Sequence, residues 1–168
     1  DKESGPLRSG SVDLETGVVE ASTGPELVAQ ALFRDRYVAV VREGHPFARG
    51  RMTRARYASG RHVGVARLSQ QREPIDEALE SQQITRDVVV VVGGFASALA
   101  LARASDLVAT VPERHTGGLR TGMRTVVLPF ALPEFTVSLL WHPRLGADPA
   151  HRWLRGCIPL FPCRTRSF

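Results

Sequence analysis

The sequence has no long apolar run and only one lysine. No stretch approaches the roughly 18 consecutive apolar residues of a transmembrane helix, which excludes a span of that kind. Residues 1–6 contain no apolar core of a signal peptide. The two cysteines, Cys157 and Cys163, have no histidine or cysteine partner at metal-ligand spacing. We therefore expect no metal site, no membrane association, and a reducing, cytoplasmic setting.

Catalytic sequence patterns are absent as well. The chain contains no nucleophile elbow, phosphate-binding P-loop, paired zinc-protease histidines or glycine-rich dinucleotide motif. Its five histidines are dispersed, and the acidic run over residues 73–80 is interpreted as the solvated face of one helix. His142 and His151 flank the start of the last predicted helix, and we interpret them as structural rather than metal-binding. The sequence thus indicates a protein that is not an enzyme and needs no cofactor.

The chain does have the composition of a globular protein. Of its 168 residues, 43% are hydrophobic and 23% are charged. The formal net charge is +5, and the arginines between Arg42 and Arg72 are opposed only by Glu43. Two aromatic residues, Phe47 and Tyr57, lie in this stretch, which is few for stacking nucleic-acid bases. A solvated basic surface is the favoured interpretation, and direct nucleic-acid contact is the alternative.

Short apolar runs rich in valine predict strands. Several are continuous rather than alternating, which favours strands covered on both faces, as in a parallel sheet flanked by helices. These runs are Val12–Leu14, Tyr37–Val41, His62–Ala66, Val88–Val92, Leu107–Val111, Thr125–Leu128 and Phe135–Trp141.

Helical patterns lie between the strands. We predict a helix from Pro74, a second over Phe95–Ala104 that is apolar nearly all round, and a short one at Pro112–His115. In the last helix Asp148 is the N-cap, and one apolar face is formed by Ala150, Trp153, Leu154, Cys157 and Ile158. Alternating strands and helices indicate an α/β fold.

One turn has the character of a binding site. Gly93 and Gly94 end a predicted strand and open the helix that starts at Phe95, which leaves backbone N–H groups free for an anion such as a carboxylate. Arg67 and Ser69 follow another strand and would line a similar cleft. The alternative is that the two glycines only permit a tight turn.

The order of several motifs resembles the effector-binding domain of LysR-type transcriptional regulators. The resemblance covers about residues 7–158. The C-terminal part of the sequence is similar to that of the branch of the family that responds to aromatic compounds. It rests on five stretches in the family's order: Leu7–Leu14, Leu32–Ala48, Gly94–Leu99, Ser105–Pro112 and Trp141–Arg155.

The resemblance implies an α/β, two-lobed, periplasmic-binding-protein-like (type 2) fold. Lobe I would comprise residues 1–60 and 135–168, and lobe II residues 61–134, with a small effector between them. The N-terminal strand and helix of lobe I would be missing. The expected effector contacts are Gly17, Val18, Arg67, Ser69, Gly94, Phe95 and Ser97.

The resemblance also implies partners. DNA would be contacted only through a helix-turn-helix domain that this chain lacks, and the full-length regulator would form a homodimer or homotetramer. The alternative function is a periplasmic-type solute-binding protein for transport, which shares the two-lobed architecture.

Overall fold

The structure is a computed structural model that describes residues 5–19, 23–65 and 74–158. Its helices are α1 (Gly5–Ser9), α2 (Arg54–Ala58), α3 (Pro74–Glu80), α4 (Phe95–Ala104) and α5 (Pro149–Cys157). Its strands are β1 (Glu15–Val18), β2 (Val28–Asp35), β3 (Tyr37–Arg42), β4 (Arg61–Val65), β5 (Asp87–Val92), β6 (Leu107–Pro112), β7 (Met123–Val126) and β8 (Phe135–Trp141). Short 3-10 turns occur at Pro46–Ala48, Gly117–Arg120 and Pro143–Leu145.

The described chain divides into two compact units. The first runs up to Asp35 and resumes at Glu134, and the second is Arg36–Pro133. Residues 36–60, which we expected in lobe I, group with the second compact unit because β3 hydrogen-bonds to β6 and β7. The bounds of the two lobes stay a prediction.

The first unit is built on a three-stranded antiparallel sheet in the order β1-β8-β2. The central strand β8 is buried from Val137 to Trp141, which explains why this stretch is apolar except for Ser138. Strand β2 is different, because its first four residues are exposed. The predicted strand at Val12–Leu14 is wrong: the strand begins at Glu15.

The second unit contains a five-stranded mixed sheet in the order β5-β4-β6-β3-β7. Strands β5, β4 and β6 run parallel, whereas β3 is antiparallel to both its neighbours. Alternate residues of β3 enter two cores. Val38 and Val40 pack with the buried residues of α4, and Ala39 and Val41 pack with residues of α2 and α3. A strand buried on both faces needs such a continuous apolar run.

Three expectations about burial are wrong. Strand β5 is an edge strand, and Val91 is 59% exposed. Helix α4 buries only Ala98, Leu99 and Ala102, so it lies on one face of the sheet rather than between layers. In α5 the expected inner face points outward: Trp153 is 71% exposed, and His151 is the residue that is buried. Among the described residues, no helix is long and apolar enough to cross a membrane.

Candidate functional site

The beginning of α4 is an open helix terminus. Gly94 is its N-cap residue in an extended conformation (φ −173°, ψ 160°) and provides no side-chain hydrogen bond to the first turn. Among the described residues, a Cβ built at Gly93 or Gly94 would meet no atom within 4 Å. Neither glycine has the positive φ that would require glycine. The first N–H groups of a helix have no partner within the helix, and an anion placed beside them is stabilised by the helix dipole.

The sheet explains why this terminus lies at a ligand-binding edge. Strands β5, β4 and β6 are parallel neighbours, so their carboxyl ends at Val92, Val65 and Pro112 meet at one edge. Ligands of open α/β sheets bind outside such carboxyl ends. Arg67 and Ser69 follow β4 in sequence, but both lie outside the described residues.

Two aromatic rings lie together at the start of α4. The Phe95 ring meets the His115 ring edge-on, with centroids 6.3 Å apart. His115 comes from the loop after β6, which is fastened by a 2.5 Å hydrogen bond from the Thr116 hydroxyl to the Pro112 carbonyl. Sequence reasoning missed His115, because we had predicted a helix at Pro112–His115 instead of this turn. Its position beside Phe95 depends on the strand order β5-β4-β6, which no local sequence pattern indicates.

The expected contacts are brought together only in part. Gly94, Phe95 and Ser97 are consecutive at the start of α4, where Ser97 is exposed and Phe95 is half-buried. Gly17 and Val18 lie in the first unit, within β1 rather than after it, and pair with Ser138 and Val137 of β8. Their role as effector contacts stays a prediction.

A buried polar cluster supports the same sheet from its other side. The Tyr57 hydroxyl and the Thr110 hydroxyl are 2.8 Å apart, and His62 Nε2 donates to the Tyr57 carbonyl at 2.8 Å. Burial lowers the pKa of His62 to about 4, and burial also raises the pKa of Tyr57. These side chains are closed off from solvent and stabilise the fold.

An ion pair adjoins this cluster. Arg86, whose side chain is 1% exposed, donates to both carboxylate oxygens of Asp76 at 2.6 and 3.1 Å. Asp76 is therefore held in an ion pair and is not simply part of a solvated helix face. Glu77 and Glu80, by contrast, are exposed as expected. Within the described ranges, no group of three His, Cys, Asp or Glu side chains could hold a metal ion.

Comparison with known proteins identifies one family. The family model "LysR substrate binding domain" matches residues 5–159. The HTH-type transcriptional activator NagR of Ralstonia sp is 35% identical over 152 residues, covering 89% of this chain and 50% of NagR. NahR of Pseudomonas putida, another HTH-type transcriptional activator, is 31% identical with the same coverage. The regulatory domain of MexT from Pseudomonas aeruginosa superposes with a TM-score of 0.74 and 26% identity, over 93% of this chain and 76% of that one. The chain thus spans about half the length of the curated relatives that it matches.

Proposed function

Because this chain belongs to the LysR substrate-binding domain family, we propose that it is the ligand-sensing part of a DNA-binding transcriptional regulator. Its small-molecule effector binds at the amino-terminal end of α4. The observation that carries this proposal is the helix start at Gly94, which has no side-chain cap and lies at the carboxyl edge of a parallel sheet.

The chemistry at the amino-terminal end of α4 favours a small carboxylate with an apolar or aromatic body. Free N–H groups and the helix dipole stabilise a negative charge by about 0.3–1 kcal/mol, and more when the site is partly buried. The exposed hydroxyl of Ser97 adds a hydrogen-bond donor. The Phe95 and His115 rings offer an apolar wall for the rest of the molecule.

The relatives support a wider proposal. In our proposal the chain is not an enzyme and takes no cofactor, and DNA is bound through a helix-turn-helix domain outside it. The full-length regulator is a homodimer or homotetramer in the cytoplasm. The named relatives are transcriptional regulators, which favours this function over solute transport.

A ligand screen tests the proposal. A panel of small aromatic and aliphatic carboxylates is added to the 168-residue chain, and its melting temperature is measured. A ligand at 100 times its Kd stabilises by about 2.7 kcal/mol, which is a rise of roughly 5–10 °C for a chain of this size. The amide analogue of each active carboxylate should give a much smaller rise.

Matched glycine variants then locate the site. Gly94→Leu places a side chain over the free N–H groups and should remove the thermal shift. Gly156→Leu is the control, because among the described residues a Cβ there also meets no atom within 4 Å, and Gly156 lies in α5 of the first unit. The proposal fails if no carboxylate of the panel stabilises the chain, or if both variants respond like the original protein.

A further inference from the structure

The second unit carries an open groove on the face of the sheet opposite α4. Its volume is about 400 Å³. One wall is the loop from Phe47 to Met52, and the other is the end of β7 with the residues that follow it, from Thr125 to Pro129. The groove belongs to neither the start of α4 nor the buried polar cluster.

The floor of the groove is apolar and rigidly supported. Phe47 and Met52 from one wall, and Val126 and Leu128 from the other, are partly buried against the same hydrophobic core. At the rim, by contrast, Val127 is 70% exposed. Such an apolar strip is well placed to bury apolar side chains of a partner.

The wall formed by β7 is also a sheet edge. Strand β7 ends the strand order and, within the part of the chain that the structure describes, hydrogen-bonds only to β3. No described strand pairs with its outer side, and an extended peptide can add to such an edge as a further strand. Side chains of an added strand alternate between its two faces, so every second one would enter the groove.

The walls of the groove carry positive charge. Neither wall, residues 47–52 and 125–129, contains an aspartate or glutamate. Arg49, Arg51 and Arg54 are exposed beside the groove, and Arg124 on β7 meets Glu43 at 3.7 Å at the surface. A partner whose carboxylates flank its apolar residues complements this surface.

The same geometry argues against a single-stranded nucleic acid. Among the described residues, Phe47 is the only aromatic ring in the groove's lining, and other side chains already contact it. The Arg56 guanidinium lies 5.3 Å from its centroid, and the His45 ring contacts it edge-on at 5.0 Å. The ring therefore offers no free face on which a base could stack.

We propose that this groove is a docking site for an acidic, extended peptide segment that pairs with the free edge of β7 and places alternate apolar side chains between Phe47 and Val127. The arginines that the sequence concentrates before residue 72 thereby serve a protein partner rather than DNA.

Methionine methyl NMR of the whole chain tests the proposal, because the protein has two methionines and both lie in the second unit. Met52 lines the groove, whereas Met123 packs into the other core. The probe is a capped peptide of about eight residues, a length typical of a strand, in which two glutamates at each end flank a centre that alternates valine with threonine. It should shift the Met52 methyl resonance more than that of Met123, which lies on β7 but faces the other core, and it should bind more weakly as salt increases.

Matched variants decide where the peptide binds. Val127→Glu and Arg51→Glu should each weaken binding by about tenfold, since both residues are exposed at the groove and their replacement repels the peptide. Val91→Glu, on the exposed edge β5 of the same sheet, and Arg61→Glu, on the surface of β4, should leave binding unchanged.

Several outcomes would overturn the proposal. One is the absence of a Met52 shift, and another is an equal shift with a lysine-for-glutamate peptide. A third is the same shift with oligothymidylate, which would assign the groove to nucleic acid. The last is a loss of binding in Val91→Glu but not in Val127→Glu, which would move the peptide to β5.

Discussion

Two histidines of this chain act as caps of short turns. His45 and His142 each precede a proline, and each ring Nδ1 accepts a hydrogen bond from the backbone N–H two residues later, at 2.9 and 3.2 Å. Proline fixes the backbone angle at the first position of the turn, and the ring replaces the usual Asp or Ser as acceptor. His151 is likewise structural, because its Nε2 donates to the Asp13 carbonyl at 3.0 Å. Dispersed histidines with such backbone partners explain why the described residues form no metal cluster.

His62 gives the second unit a pH dependence. Its ring is fully buried and its pKa falls from 6.5 to about 4, chiefly because burial disfavours the charged form. The unfolded chain therefore binds a proton between these two values that the folded chain does not. The free energy of unfolding is then highest above pH 6.5 and is lost as the pH falls toward 4, by up to about 3 kcal/mol.

Urea unfolding at pH 7 and at pH 4.5, followed through the methionine methyl resonances, measures this dependence. His62→Gln keeps a donor for the Tyr57 carbonyl but cannot titrate, so its stability should change less between the two pH values. An equal loss in both proteins would mean that another group carries the effect.

Helices and strands with a clear local sequence pattern were predicted well. Helix α4 and strand β8 have the predicted bounds, and Asp148 caps α5 as its position before Pro149 indicates. What the sequence could not provide is the environment of each element. Five consecutive valines look alike in a central strand and in an edge strand, and the spacing of Trp153 with its apolar neighbours does not say whether another layer covers them.

The candidate site, too, was predictable only where the sequence pattern is local. The open start of α4 was predictable from Gly93 and Gly94, because a glycine turn before a helix is a local pattern. His115 was not, since it approaches Phe95 only through the pairing of β4 with both β5 and β6. The two effector contacts expected after β4, Arg67 and Ser69, stay predictions.

The N-cap of α5 allows a test of what stabilises this helix. Asp148 accepts a hydrogen bond from the His151 N–H at 2.7 Å. Asp148→Ala should destabilise the first unit by about 1 kcal/mol, whereas Asp148→Asn should lose much less because asparagine caps nearly as well. Urea unfolding followed by tryptophan fluorescence provides the measurement, and equal losses in the two variants would show that the cap is not what stabilises this helix.

For the molecule as a whole, the family and the structural match with MexT confirm the predicted α/β, periplasmic-binding-protein-like fold. Its two units are nevertheless built unequally. The second has five strands with hydrophobic cores on both faces of the sheet, while the first has three strands, one of which begins with four exposed residues. Burial of apolar surface is the main stabilising contribution, and small sheets with little of it are marginal. The first unit should therefore unfold at a lower denaturant concentration than the second.

The sequence supplies separate probes for this comparison. Both tryptophans, Trp141 and Trp153, lie in the first unit, and both methionines lie in the second. We expect the tryptophan fluorescence to change at a lower urea concentration than the methionine methyl resonances, and the amides of β2 to exchange with solvent before those of β3 and β6. Two transitions with one midpoint would instead mean that the units unfold as a single cooperative body. Separate transitions would show that the first unit is the less stable of the two. The core beneath the start of α4, which includes Val38 and Val111, would then still be folded when β1 and β8 have separated.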